Sequence, residues 1–225
     1  MAANRLSSKI DDLFEHEKWD EARRILERER EKDSEDHWIL TQLGVTFYEQ
    51  HQYKEALDLF EASRSILPEC PLTLWNLAGT LDALGNHQWA LPFYEWILAS
   101  KKSPEDDPCW ESDEWTMSLK ADCVYRAGVC FQHLGKKTEA REFYHQYQCL
   151  LSKGIAGAYS GEDVTNRIRS LEAKTKDSAV ADESRKAMAA TLRALKIGSD
   201  KSRWGRLPDL KIDELVSGRR VASKR

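Results

Sequence analysis

Long apolar runs are missing from this 225-residue sequence. No stretch approaches the ~20 apolar residues that a helix needs to cross a bilayer. The opening residues, MAANRLSSKIDD, also lack the apolar segment of a secretory signal. We therefore expect a cytoplasmic protein without a membrane partner.

Cysteine and histidine are too scattered to indicate a metal site. The five cysteines are an odd number, and no two of them form a Cys-x-x-Cys motif. No pair among the six histidines has a third ligand at zinc-binding spacing. The sequence thus predicts reduced thiols in a reducing compartment, and neither a metal nor another cofactor.

Catalytic motifs are absent from the sequence as well. It has no phosphate-binding loop with its lysine, no nucleophile elbow and no His-Glu pair at metalloprotease spacing. The glycine-rich segment at 152–161, SKGIAGAYSG, lacks the preceding strand that a dinucleotide-binding loop requires. We therefore predict that the protein is not an enzyme.

Charge is distributed unevenly along the chain. Residues 175–225 contain 13 Lys or Arg against 7 Asp or Glu, whereas residues 1–174 contain 21 against 31. The net charge of −4 therefore combines a body of −10 with a tail of +6. Such a tail can meet the phosphates of nucleic acid, an anionic lipid or the acidic body itself.

A repeated pattern of large and small apolar residues is the strongest feature that the sequence does contain. Six positions recur after 34 residues: Leu40, Leu43, Gly44, Phe47, Ala56 and Phe60 correspond to Leu74, Leu77, Ala78, Leu81, Ala90 and Tyr94. In each copy these positions form two groups at helical spacing, which predicts two antiparallel helices joined by a tight turn. The small residues among them allow the paired helices to approach closely.

The same pattern extends in both directions along the chain. A weaker copy precedes the two clear ones, and a fourth follows an insertion at 105–120, so that the copies cover 3–36, 37–70, 71–104 and 121–154. Residues 162–174 then predict an end helix, because Val164, Ile168 and Leu171 fall at spacings of four and three. An end helix with a polar outer face covers the last repeat of a repeat protein.

This pattern resembles the tetratricopeptide repeat. The resemblance implies an all-α fold over residues 3–174, a right-handed α-solenoid of about four helical hairpins that ends in the capping helix. It also implies that the first helix of each repeat lines a concave groove, at positions that hold Trp38, Thr41, Gln42, Tyr48, Trp75, Asn76, Tyr125 and Arg126 here.

Aromatic rings beside amides suit the binding of a peptide. The rings bury apolar anchors, and Asn or Gln pairs with peptide backbone groups that lose their water. The alternative is that Trp38 and Trp75 only fill the space between neighbouring first helices.

One known mode of peptide binding does not fit these residues. Co-chaperone members of the family clamp C-terminal carboxylates with Lys, Arg and Asn, at positions that hold Thr41, Val45, Asn76, Asp122 and Arg126 here. Only Asn76 and Arg126 match. Asp122 puts a negative charge where a carboxylate must be held, a repulsion of about 1 kcal/mol or more near a surface. We therefore do not expect a carboxylate clamp.

The insertion at 105–120 is acidic and contains two tryptophans, Trp110 and Trp115. Insertions in repeat proteins form loops or helix extensions on one face. Either the two indoles pack a lengthened helix onto its neighbours, or the insertion is a contact loop at the rim of the groove.

Residues 175–225 predict a linker at 175–180, an amphipathic helix at 181–196 and a basic tail that we expect to be partly flexible. The tail's candidate contact residues are Arg203, Trp204, Arg206, Arg219, Arg220, Lys224 and Arg225. Its apolar residues favour contact with a partner protein or with the body, and its arginines favour nucleic acid. A tail that only aids solubility is the third alternative.

Together these features predict a non-enzymatic adaptor or chaperone-like scaffold that holds a protein or peptide segment in its groove. The alternative is a nucleic-acid- or ribosome-associated adaptor that acts through the basic tail. The sequence leaves the oligomeric state open.

Overall fold

The computed structural model describes residues 2–172, with side chains from Arg5 onward, and all regular structure in this range is helical. The helices are α1 (Ala2–Glu15), α2 (Trp19–Arg30), α3 (His37–Glu49), α4 (Tyr53–Ile66), α5 (Pro71–Ala83), α6 (His87–Ala99), α7 (Asp113–His133), α8 (Lys137–Ser152) and α9 (Gly161–Glu172). A 3-10 turn, Pro108–Trp110, precedes α7. The all-α architecture predicted from the repeats is confirmed.

The described residues form two compact units, residues 2–85 with α1–α5 and residues 86–172 with α6–α9. The boundary lies in the turn between α5 and α6, within the copy at 71–104. Among residues 2–172, no helix combines the length and the apolar character that a membrane crossing requires.

In the first unit, successive helices pack against each other as hairpins, and α3 also contacts α5. Asp36 caps α3, because its Oδ1 accepts hydrogen bonds from the backbone N–H groups of Trp38 at 2.8 Å and Ile39 at 3.2 Å. Pro71 is the first residue of α5, where its missing N–H costs no helical hydrogen bond. Local sequence therefore sets where these helices begin.

The core of the first unit depends on one close approach between α3 and α4. Gly44 faces the ring of Phe60, which is fully buried. A Cβ built on Gly44 would lie 2.7 Å from Phe60 Cδ1, so only glycine fits this contact. The small residue that the repeat pattern places here is thus a requirement of the helix packing.

In the second unit, α7 packs against α6 and α8, and α8 packs against α9. Ser112 caps α7 by accepting a hydrogen bond from Trp115 N at 3.1 Å, so the helix begins within the insertion at 105–120. Helix α7 therefore has 21 residues, whereas α3 and α5 each have 13. The insertion is a 3-10 turn followed by an extension of α7.

Candidate functional site

Two neighbouring helices of the first unit present equivalent positions on one face. Trp38, Gln42 and Val45 of α3 occur 34 residues before Leu72, Asn76 and Gly79 of α5. Their spacings of four and three place each trio on one side of its helix. All are partly exposed except Gln42, which is 8% exposed. We call these six residues the α3–α5 face.

The middle position of each trio of the α3–α5 face holds an amide side chain, Gln42 in α3 and Asn76 in α5. Asn76 Nδ2 donates to the carbonyl oxygen of Leu72 at 2.9 Å, which leaves its side-chain oxygen as an acceptor. The side-chain amide of Gln42 makes no hydrogen bond within residues 2–172, although the residue is only 8% exposed. A nearly buried amide without an internal partner is suited to pair with groups of an incoming ligand.

The other residues predicted for the groove of the first unit lie beside this face. Trp38 packs against the core cluster that contains Ile10 and Leu13, so it also has a structural role. Tyr48 packs edge-on against Tyr53, with ring centroids 5.4 Å apart, near the end of the hairpin. Trp75 is partly exposed and stands at the position equivalent to Thr41.

Thr41 is not available to a ligand, contrary to its predicted place in the groove. It is 1% exposed, and its hydroxyl lies 2.8 Å from both Ser63 Oγ and Thr73 Oγ1. Ser63 Oγ in turn donates to the carbonyl oxygen of His37 at 2.8 Å. These hydroxyls form a buried polar network that joins α3, α4 and α5, because buried polar groups need hydrogen-bond partners.

Arg23 fixes α2 against α3, and the sequence pattern gave no sign of it. Its guanidinium lies 3.6 Å from the centroid of the Phe47 ring. It also donates to Thr46 Oγ1 at 3.2 Å and Thr46 O at 3.0 Å, as well as to the side chain of Gln50. One arginine among the four of α2 has no periodic signal that would reveal these contacts.

In the second unit, the predicted groove residue Tyr125 is covered by α9 and by the segment that leads into it. It is 2% exposed, and its ring stacks on Tyr159 with centroids 3.8 Å apart. Its hydroxyl donates to Asp163 and accepts from Arg167 Nε at 2.7 Å. Tyr125 therefore anchors α9 and is removed from the candidate ligand surface.

Asp122, one turn before Tyr125, serves the same covering segment. Its Oδ1 accepts a hydrogen bond from the backbone N–H of Ala158 at 2.8 Å. Burial raises the pKa of the Asp122 carboxyl, and the bond from Ala158 opposes that rise. Arg126 remains partly exposed and donates to the Tyr94 hydroxyl at 3.3 Å.

The Asp163 carboxylate holds α9 through charge-assisted hydrogen bonds. Burial alone would raise its pKa, but the bonds from Tyr125 and Arg167 outweigh burial and lower it. The stabilisation from this carboxylate is therefore fully present above the pKa of an unfolded aspartate, ~3.9, and is lost as the pH falls through the lower folded value. Burial also raises the pKa of Tyr144 to about 12.

We expect Tyr125→Phe to lower the free energy of unfolding by about 1–2 kcal/mol at pH 7, since it removes the hydroxyl bonded to partly exposed charged groups. The difference from the unchanged protein should shrink as the pH falls from ~3.9 through the lower pKa of folded Asp163, where this carboxylate becomes protonated. Urea denaturation at several pH values measures it. Tyr53→Phe, whose hydroxyl meets only the exposed His51, should change stability by less than about 0.5 kcal/mol. A Tyr125→Phe protein as stable as the original at pH 7 would contradict this role.

The two tryptophans of the insertion have different environments. Trp110 is fully buried, and its carbonyl oxygen accepts a hydrogen bond from Thr116 Oγ1 at 3.0 Å. Lys120 Nζ lies 5.3 Å from the Trp110 ring centroid and donates to Ser100 O at 2.8 Å. Trp110 thus packs the lengthened α7, as the first alternative predicted. Trp115 is partly exposed in the first turn of α7, so it lies on a helix and not in a loop.

The predicted tail residues Arg203, Trp204, Arg206, Arg219, Arg220, Lys224 and Arg225 lie outside the described residues, as do the linker at 175–180 and the helix predicted at 181–196. The predicted capping helix at 162–174 corresponds to α9, which covers Gly161–Glu172 within the described range.

Comparison with known proteins agrees with this architecture. The sequence model of a family described as Tetratricopeptide repeat matches residues 122–148, which span the second half of α7 and most of α8. No curated protein matches the chain.

Two solved structures share the fold. One is MamA 41-end from Desulfovibrio magneticus RS-1, with 14% identity and a TM-score of 0.59 over 85% of this chain and 96% of that chain. The other is described as MamA RS-1 ArsTM double mutant, with 16% identity and a TM-score of 0.60 over 85% of this chain and 95% of that chain.

The helical hairpins, their small-residue contacts and this likeness define an all-α repeat protein of the α-solenoid class. The family model identifies one tetratricopeptide repeat, at residues 122–148. Such repeats are scaffolds for protein interaction, and the fold is typical of modules without a catalytic centre.

Proposed function

We propose that the protein is an adaptor that holds a peptide segment of a partner protein on the α3–α5 face. The observation that carries this proposal is the pair of equivalent amides, Gln42 and Asn76, set among apolar side chains. Trp38 and Leu72 provide apolar surface for the peptide's side chains, and the amides pair with its backbone. The 34-residue spacing of the amides places them on adjacent helices, so both can contact one extended segment.

The lack of cations on the two helices supports an internal peptide segment as the ligand. Neither α3 nor α5 contains a lysine or an arginine, so no side chain of these helices neutralises a terminal carboxylate. Backbone recognition by amides does not need a chain terminus. The binding of C-terminal carboxylates is therefore disfavoured on this face.

Peptide binding can be tested with the full-length chain and a displayed library of random 12-residue peptides. We expect Gln42→Leu and Asn76→Leu each to weaken the binding of a selected peptide by about 5- to 150-fold, because an unpaired buried backbone group costs about 1–3 kcal/mol. Fluorescence polarisation with a labelled copy of that peptide gives the affinity. Gln88→Leu makes the same change at an exposed amide of α6 and should leave the affinity unchanged.

Circular dichroism should show that all three variants keep their helical content and melt cooperatively. If both amide variants bind the selected peptide as tightly as the original chain, the peptide is held elsewhere and the proposed face is wrong.

A further inference from the structure

Acidic side chains line the extension of the α3–α5 face. Glu49 lies one turn after Val45 on α3. In α1, Asp11 is equivalent to Val45 and Glu15 is equivalent to Glu49. The carboxylates of Asp11, Glu15 and Glu49 are exposed. Burial and the nearby Glu17 raise the pKa of Glu49, while His51 opposes the rise. A row of carboxylates thus borders the apolar and amide surface.

Cations are placed away from this face. Helices α3 and α5 have none, and the two cations of α1, Arg5 and Lys9, line a surface depression of about 740 Å³ together with Ile25 and Arg28 of α2. Residues 2–85 as a whole contain 10 Lys or Arg against 18 Asp or Glu. The face therefore attracts a ligand that combines positive charge with apolar anchors.

A segment of this composition occurs in the chain itself. Residues 201–216 read KSRWGRLPDLKIDELV, and the acids at 209, 213 and 214 all lie in its second half. The first seven residues combine cations at 201, 203 and 206 with Trp204 and Leu207 and contain no acid. The segment is separated from Glu172 by 28 residues. At most ~3.5 Å per residue, that connection spans up to about 100 Å, three times the ~32 Å length of a 21-residue helix such as α7.

We propose that residues 201–216 occupy the α3–α5 face within the same chain. This inference rests on the proposed function, since it assigns an occupant to the same face. Trp204 and Leu207 supply the apolar anchors, while Arg203 and Arg206 lie near the carboxylates of α1 and α3. Because the segment is tethered, its effective concentration at the face is in the millimolar range, so weak docking is enough to compete with a partner peptide. The tail then sets a threshold of affinity that a partner must exceed.

The full-length chain with a photoreactive benzoylphenylalanine in place of Leu72 tests this docking. Irradiation should crosslink position 72 to a peptide within 201–216, in a product with the mass of one chain and with a yield that does not change on dilution. The same photoreactive residue at Ile66, which is 40% exposed on α4, should give at most one fifth of that yield. The double change Trp204→Ala with Arg206→Glu should reduce the crosslink at least fivefold.

A control for the loss of positive charge lies beyond the segment. Arg219→Glu with Arg220→Glu alters more charge than Arg206→Glu but leaves 201–216 intact, so it should keep the crosslink. The inference is overturned if the crosslink at position 72 maps elsewhere in the chain, joins two chains, or survives the Trp204→Ala and Arg206→Glu changes.

The library-selected peptide separates this inference from the proposed function. The selected peptide should bind the chain carrying Trp204→Ala and Arg206→Glu at least fivefold more tightly than the original chain, because the altered segment no longer competes for the face. Equal affinity for the two forms refutes docking of the tail and leaves peptide binding standing. Conversely, a tail crosslink in the original chain supports the docking, and it refutes the adaptor function if the chain carrying Trp204→Ala and Arg206→Glu also selects no peptide.

Discussion

Replacement of Trp110 by alanine is expected to lower the free energy of unfolding by about 3–5 kcal/mol. The indole is fully buried, so alanine would leave a cavity in place of the ring. The loss also removes the ring that the Lys120 ammonium approaches. Urea denaturation followed by circular dichroism measures the change.

Two comparison variants separate packing from polarity at this site. Trp110 Nε1 is buried and has no hydrogen-bond partner within residues 2–172. Trp110→Phe therefore retains an aromatic ring and breaks no side-chain hydrogen bond. We expect it to cost about 1.5 kcal/mol or less. Trp115→Ala, at a partly exposed position of the same insertion, should cost about 1 kcal/mol. A Trp110→Ala protein that unfolds within 1 kcal/mol of the original would show that the insertion does not contribute to the core.

Gly44→Ala is expected to destabilise the first unit by about 1–3 kcal/mol, although alanine normally favours a helix. The added Cβ would stand 2.7 Å from Phe60 Cδ1, and Phe60 is fully buried, so its ring cannot turn aside into solvent. Helix α3 must therefore move away from α4. The melting temperature and the urea midpoint of the full-length chain both report this effect.

A second substitution tests whether the collision with Phe60 is the cause. Combining Gly44→Ala with Phe60→Leu should recover part of the lost stability relative to the sum of the single changes, because the smaller side chain makes room for the Cβ. Gly161→Ala serves as a control, since its Cβ would have its nearest contact at 3.9 Å, an ordinary distance. Additive effects of the two single changes would rule out the proposed contact.

The candidate site was only partly predictable from the repeat pattern. Equivalence at 34 residues relates Gln42 to Asn76, Trp38 to Leu72 and Val45 to Gly79, the six residues of the proposed face. The pattern cannot tell which flank of a first helix is covered by another segment. Thr41 is closed off by hydroxyls of α4 and α5, and Tyr125 is covered by the segment that leads into α9.

By itself, the sequence determined the local structure: which residues form helices, where Gly44 must be small and which positions are equivalent between repeats. Hydrophobic spacing carries that information because it follows the geometry of one helix. Only the tertiary structure decided that Trp110 is core, that Arg23 fixes Phe47, and that Tyr125 anchors α9. Each of these depends on contact with a residue far away in sequence or outside the repeat, and burial by a distant segment leaves no periodic trace.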